Sequence, residues 1–343
     1  MQRFNIPFWQ KVERLLRRAR QRDVLISIIF YVDGLRPGVY PFKDRFWGEE
    51  QRYYTYAINR LASFSNVMWD VTNEWKLFRS EGWVNWMGNF IKTFDPYQHL
   101  TSCHGHEVFP FLAEHWVDFS MYQLWDETGS NAGMLQRRTL QALSGKPKPV
   151  INEEYGYEDH YPQWGGGKQA PARSADNRRR LAWEMTMAGC YQTTGERTVP
   201  HGGWINGFGA DDTLFTLHGH LLKFFTGFAW WRLAPRNELA NLPNLCLAEA
   251  GRQYVAYLPA GGKLTLNLVP GTYRAYWYNP RSGERLDVTI EHGLAAPAPG
   301  LAATTMALSP RPELAYQYLP DPDRALLTAY APSNDDWALR LER

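Results

Sequence analysis

Charge of one sign is what this chain most plainly lacks: 37 Lys and Arg stand against 35 Asp and Glu, a formal net charge of +2. That balance gives no electrostatic reason to expect nucleic acid or an anionic membrane as partner. No apolar run approaches the ~20 residues that a spanning helix needs. Cysteine is scarce, and Cys103, Cys190 and Cys246 are an odd number without paired spacing. They form neither a disulfide framework nor a zinc signature, so three free, buried, inert thiols are expected. No glycine-rich phosphate loop is present either, which removes the usual reason to expect a nucleotide, and no cofactor is expected. The opening residues, Met1-Gln2-Arg3-Phe4-Asn5, lack the apolar stretch of an export signal, so compartment stays open.

What the chain has in excess is aromatic surface: 15% Phe, Trp and Tyr, including 15 Trp, beside an ordinary 21% of charged residues. Most such rings are core, because aromatics dominate burial. Their flat apolar faces also stack on sugars.

Hydrophobic periodicity organises the first 235 residues. Over 9–22, Val12, Leu15, Leu16 and Ala19 recur at helical spacing among Arg and Lys. A near-continuous apolar run over 24–30 follows, the pattern of a strand buried on both faces, and parallel sheets are built from such strands. The helix-then-strand unit recurs as 54–64 with 67–71, 83–94 with 100–102, 111–115 with 117–120, 136–143 with 149–152, and 178–188 with 190–193. Alternation at this pitch predicts an α/β fold with a parallel sheet. Six strands are counted where a closed (β/α)8 TIM-type barrel needs eight, so the first two are expected to be absent. The open edge is then expected to be covered by the first residues, by a second copy of the chain as a homo-oligomer, or by residues upstream.

Beyond 235 the texture changes to short alternating segments at 253–258, 263–268, 273–278 and 337–341, punctuated by turns such as Asn279-Pro280-Arg281-Ser282-Gly283. This predicts a small all-β sandwich over 236–343, after a catalytic α/β domain over 1–235.

In barrels the reacting groups sit at the C-terminal ends of strands. Two segments end there with a carboxylate. The first, 67–75, runs through Asn73-Glu74-Trp75, and the second, 148–156, runs through Glu153-Glu154-Tyr155-Gly156. Cleaving a glycosidic bond with retention needs two carboxyl groups roughly 5 to 5.5 Å apart, one nucleophile and one acid then base. Glu74 and Glu154, 80 residues apart, meet only if a fold gathers strand ends.

Asn73-Glu74 and Glu154-Tyr155-Gly156, each after a strand, resemble the fourth- and seventh-strand motifs of the large clan of retaining glycoside hydrolases. The resemblance implies that Glu74 is the acid/base and Glu154 the nucleophile of a glycosidase. Residues 178–184, 188–196 and 202–204 are similar to a narrower group, the bacterial apiosidase-like or cellulase-like proteins. Those carry a C-terminal module with a collagen-binding label, similar to 254–341 here. Members of that group often have Asp where this chain has Glu74, so apiose specificity is not carried over.

The same resemblance assigns Asn73 to a sugar hydroxyl, Tyr122 to orienting the nucleophile, and Trp125 to stacking. Trp204 is expected to floor the sugar site. Tyr31 and Tyr155 complete the expected cleft. His104 and His106 form His-Gly-His with no third ligand spaced beside them, so substrate contact is preferred to metal. The expected partner is a poly- or oligosaccharide, and the competing reading is a carbohydrate-binding protein without turnover on an incomplete barrel.

Overall fold

The computed structural model describes residues 3–30, 48–125, 129–156, 174–193, 213–288, 314–318 and 323–343, with backbone alone for 314–318. It divides into two compact units, Met1–Trp125 with Gln136–Tyr155, and Asp126–Leu135 with Gly156–Arg343. Among the described residues no helix is long and apolar enough to cross a membrane. Cys103, Cys190 and Cys246 are all buried, and none is in a disulfide.

The first unit opens with α1 (Ile6–Arg20), whose N-cap Asn5 accepts from the Phe8 N–H at 3.2 Å and whose last turn carries Arg17, Arg18 and Arg20. Both ends complement the helix dipole and its orphan backbone groups. β1 (Ile26–Ile29), α2 (Gly48–Leu61), β2 (Val67–Asp70), the short α3 (Trp75–Phe78), α4 (Glu81–Phe94) and β3 (Thr101–Ser102) follow. β1, β2 and β3 pair in parallel, with Ile29 opposite Asp70 and Asp70 opposite Ser102. β4 (Ser120–Tyr122), α5 (Asn131–Leu143) and β5 (Val150–Asn152) come next, and β4 and β5 are again parallel, with Tyr122 opposite Asn152.

Asp118 links β3 of the three-stranded group to the segment that enters β4. Its N–H donates to the Thr101 carbonyl at 2.9 Å and its carboxylate accepts from the Thr101 N–H at 2.8 Å and from Lys92 at 2.6 Å. This is why the strand expected over 117–120 starts at Ser120 instead: the preceding residues serve the crosslink. The helix expected over 111–115 is a single 3-10 turn, Pro110–Ala113, closed off before Trp116, which is fully buried.

Parallel strands point their C-terminal ends the same way, so the segments after β1, β2, β3, β4 and β5 leave from one edge. On the helical side the packing is tight. Gly88 of α4 faces the Trp116 indole so closely that an added Cβ would stand 2.2 Å from a ring carbon.

In the second unit, α6 (Ala175–Met187), β6 (Tyr191–Gln192) and α7 (Thr213–Thr226) precede nine strands among the described residues. These are β7 (Ala234–Pro235), β8 (Leu245–Glu249), β9 (Gln253–Leu258), β10 (Lys263–Leu268), β11 (Arg274–Tyr278), β12 (Arg285–Val288), β13 (Leu314–Tyr318), β14 (Ala325–Tyr330) and β15 (Trp337–Glu342). They make a six-stranded sheet ordered β12-β11-β15-β9-β8-β7 and a three-stranded sheet ordered β10-β14-β13. Leu264, Leu266, Leu268, Leu327 and Ala329 meet Tyr254, Ala256, Leu258, Trp277, Leu339 and Leu341 in one apolar core. Period-2 alternation delivers those side chains to the facing surfaces, as expected for a sandwich.

The other face of the six-stranded sheet is also covered. Leu247, Val255, Tyr257, Tyr278 and Ala338 pack with Trp183 and Met187 of α6 and Leu221, Phe224 and Phe225 of α7. Trp183 stacks on Tyr257 with ring centres 5.3 Å apart. Beneath them lies a buried polar knot. Arg179 of α6 donates to both carboxylate oxygens of Asp336, one at 3.0 Å, and the Tyr257 hydroxyl donates to the same carboxylate at 2.9 Å. Arg179 is 1% exposed and Asp336 0%.

Two outcomes follow. Gly88→Ala should cost about 1–3 kcal/mol in urea unfolding, since the indole has no room to retreat. Asp336→Asn should cost about 3 kcal/mol, because it removes the buried carboxylate of the knot and leaves the Arg179 guanidinium only the half-exposed Asp176 as counter-charge; an unchanged midpoint in either variant would contradict the packing described.

Candidate active site

β2 carries its chemistry past its own end. Val67 and Trp69 alternate with Met68 and Asp70, so Trp69 and Asp70 face opposite ways. Trp69 donates its indole N–H to Asp95 at 2.9 Å, while Asp70 turns toward the strand ends and is 0% exposed. One Asp70 oxygen, Oδ1, accepts from the Thr72 N–H at 3.2 Å and from the His104 N–H at 3.0 Å. It thereby ties the segment after β2 to the segment after β3. Oδ2 is buried with no hydrogen-bond partner.

Asn73 and Glu74 follow. Asn73 is buried, and its amide nitrogen lies 3.5 Å from Glu74 Oε2. Glu74 is half-buried and sits in the left-handed region, φ 39° and ψ 50°. A non-glycine residue there costs of order 1 kcal/mol and persists only where its surroundings over-determine it. Here Trp75 fixes the next residue, donating its N–H to the His104 carbonyl at 3.3 Å and packing its ring 5.0 Å from that of Phe111.

β5 delivers Asn152, Glu153, Glu154 and Tyr155. Asn152 clamps Leu124 by a reciprocal pair, its amide donating to the Leu124 carbonyl at 2.8 Å and its oxygen accepting from the Leu124 N–H at 3.1 Å. The Glu153 N–H donates to the Tyr122 carbonyl at 2.9 Å. The imidazole of His104 lies between the two glutamates. Nδ1 is 3.7 Å from Glu153 Oε2, and Nε2 is 3.7 Å from Glu154 Oε2.

The electrostatics follow from burial. His104 is pushed down to about 4, by burial first and by His106 second, so its ring is neutral at pH 7. Glu153 is pushed up to about 8, by burial first and by the charge of Glu154 second, against a weaker pull from the Ser27 hydroxyl. Asp70 is held well above the usual carboxylate range, by burial first and by Glu153 second, its two backbone N–H donors opposing this. Burial likewise lifts the Cys103 thiol, which leaves it inert.

Of the residues picked from sequence, His104 and Glu154 meet in this cluster, and Asn73 and Glu74 stand on the segment that Trp75 ties to the His104 carbonyl. His106 is half-buried, and its carbonyl accepts from the Gln123 N–H at 3.3 Å. Tyr122 is buried against Phe109, with the Arg137 guanidinium 5.6 Å over its ring. Trp125 is half-buried and Tyr155 fully buried. Tyr31 and Trp204 lie outside the described residues. Asp70 escaped sequence reading altogether, and Glu153 entered only as a rival to Glu154. The usable signal for Asp70 was a lone carboxylate on the inward face of an apolar strand.

A protonated Glu153 removes one like charge from beside Glu154. In buffer free of divalent cations, a component of the infrared carbonyl band of protonated carboxyls should persist at pH 7, titrate near pH 8 and be missing in Glu153→Gln. Because the folded value lies above the ordinary 4.5, this group favours the fold most below about pH 4.5. That contribution is lost as pH rises through about 8, so Glu153→Gln should flatten the loss of thermal stability across this window. Absence of the band at pH 6 would contradict the assignment.

No curated protein matches this sequence. The fold is similar to three solved structures. A Bacteroides vulgatus ATCC 8482 protein described as a candidate glycoside hydrolase aligns with TM-score 0.74 and 18% identity, over 99% of this chain and 64% of that one. A glycoside hydrolase family 5 protein from the same organism aligns with TM-score 0.70 and 16% identity, over 98% and 74%. A third, described as a glycoside hydrolase, gives 0.72 and 14%, over 98% and 77%. This chain thus spans less than two thirds of the first of them. The family model of the apiosidase-like catalytic domain matches residues 1–201, well over half of the chain, and the chain belongs to that family.

Proposed function

We propose that this chain is a retaining glycosidase of a poly- or oligosaccharide, with Glu154 as nucleophile and Glu74 as acid/base on a (β/α)8-type scaffold. The observation that carries the reading is the convergence of two strand-end segments on His104. The Glu74 segment hydrogen-bonds its carbonyl, and Glu154 lies 3.7 Å from its ring. The division near residue 235 marks where the α/β texture ends.

In this reading a Glu154 oxygen attacks the anomeric carbon while the Glu74 carboxyl gives its proton to the departing glycosidic oxygen. The bond formed is a glycosyl ester, and the bond broken is the one to the leaving sugar. Glu74, now a carboxylate, takes a proton from water, whose oxygen displaces Glu154 with a second inversion and net retention. Neutral His104 can turn an N–H toward Glu154 without adding a charge that would blunt its nucleophilicity. The 3.7 Å spacing is longer than a hydrogen bond, and such contacts tighten with substrate bound. Asn73, beside Glu74, is placed for the sugar 2-hydroxyl. On resemblance, Tyr122 is assigned to orienting the nucleophile and Trp125 to stacking on the sugar; His106, Tyr31, Trp204 and Tyr155 are assigned to substrate contact.

A panel of chromogenic aryl glycosides should give one substrate whose hydrolysis falls about 10²- to 10⁴-fold in Glu74→Gln and at least as far in Glu154→Gln. Proton NMR of the first-formed sugar should show the anomer of the substrate. Full activity in Glu154→Gln, or an inverted product, would overturn the mechanism, and binding of sugar without turnover by the wild type would favour a lectin-like protein.

A further inference from the structure

We propose that Asp70, His104 and Glu153 form a binding site for one divalent transition-metal ion of the zinc class, seated beside Glu154. One ligand atom from each of the three residues lies within 4.8 Å of the others. His104 Nδ1 and Glu153 Oε2 stand 3.7 Å apart, beyond hydrogen-bond reach. Two ligands held at about 2.1 Å in a tetrahedral arrangement stand about 3.4 Å apart, so a small shift of either side chain makes that pair an edge of a metal tetrahedron.

Two further atoms point to a ligand. Asp70 is 0% exposed, and with Oδ1 saturated by two backbone N–H groups, its Oδ2 is buried with no hydrogen-bond partner. Nδ1 of His104, a residue 3% exposed, is likewise buried and unbonded. Orphaned buried polar atoms are costly, and native proteins rarely leave two together. The forces on Asp70 are burial, the like charge of Glu153 and those two N–H groups, none of which brings a positive charge to it. A cation supplies one.

The donor set chooses the ion. One imidazole nitrogen with two carboxylate oxygens suits zinc and, less well, manganese; calcium prefers oxygen alone. Burial already keeps His104 neutral, which is the ligating form. Coordination through Nδ1 would place the ring proton on Nε2, the nitrogen facing Glu154. The ion would then fix a tautomer and make His104 a positioning residue for that carboxylate. This last consequence rests on the glycosidase reading; the binding of the metal does not.

The test uses the full, tag-free chain, stripped with EDTA and titrated with ZnCl2 by calorimetry, with MnCl2 and CaCl2 as comparisons. One Zn²⁺ should bind per chain and raise the thermal midpoint, more weakly at pH 6 than at pH 8 because protons compete for the carboxylates. Asp70→Asn and Glu153→Gln, with unchanged far-UV circular dichroism, should each weaken binding by about tenfold or more. Because either variant could misfold, the wild type loaded with Co²⁺ gives a second readout: visible d–d bands of a tetrahedral nitrogen and oxygen environment. No stoichiometric uptake and an unmoved midpoint would mean that the two carboxyls share a proton, and would overturn the proposal. Uptake with undiminished affinity in Glu153→Gln, or Co²⁺ bands of a different ligand set, would place the ion elsewhere and overturn it equally.

Discussion

Asp70 accepts hydrogen bonds from the backbones of two different strand-end segments, and the geometry of the site descends from that fact. With the Thr72 and His104 N–H groups fixed to one oxygen, the residues between β2 and α3 have little freedom. Glu74 is left in a left-handed conformation, and His104 is held with its ring against Glu153 and Glu154. A carboxylate at full burial is an expensive anchor. It is tolerated because two backbone donors would otherwise be orphaned in the same place.

That anchor sets a charge problem for its neighbours. Burial and the charge of Glu153 raise Asp70, burial and the charge of Glu154 raise Glu153, and the imidazole among them is neutral. Adjacent glutamates on one segment thus meet different neighbours. Glu153 is pushed toward its protonated form and faces Nδ1 of His104, while Glu154 faces Nε2. Environments that drive like groups apart are how proteins assign distinct tasks to chemically identical side chains.

Much of the scaffold was legible in the sequence. Continuous apolar runs marked β1 and β2, and alternation marked β10 to the residue because one of its faces is buried; β9 was placed to the residue by its short run between turns, although both its faces are buried. α7 was missed, since its apolar residues surround His218, Gly219 and His220 instead of forming a clean stripe. β8 and β14 were passed over beside stronger neighbours. Glu74 and Glu154 were found through strand-end placement and local motif. The Asp70 and Glu153 cluster was not, for a different reason: its members lie 34 and 49 residues either side of His104, and no local spacing encodes a meeting that only strand register brings about. The histidines were judged without a third ligand on linear spacing alone.

Among the described residues, the central strands of the six-stranded sheet of the second unit are covered on both faces. One surface is closed by β10, β14 and their neighbours, the other by α6 and α7, and every residue of β9 is buried. Antiparallel sheets commonly keep one side in water, so this one is built in the manner of a parallel sheet. The helices that look like the tail of the α/β region are therefore a lid on the sandwich. Evolution can exchange the sandwich between proteins only together with that lid, since a copy cut free at the texture boundary would carry a bare greasy wall of Leu247, Val255, Tyr257 and Tyr278. The change of sequence texture and the edge of the folding unit fall at different places in this chain.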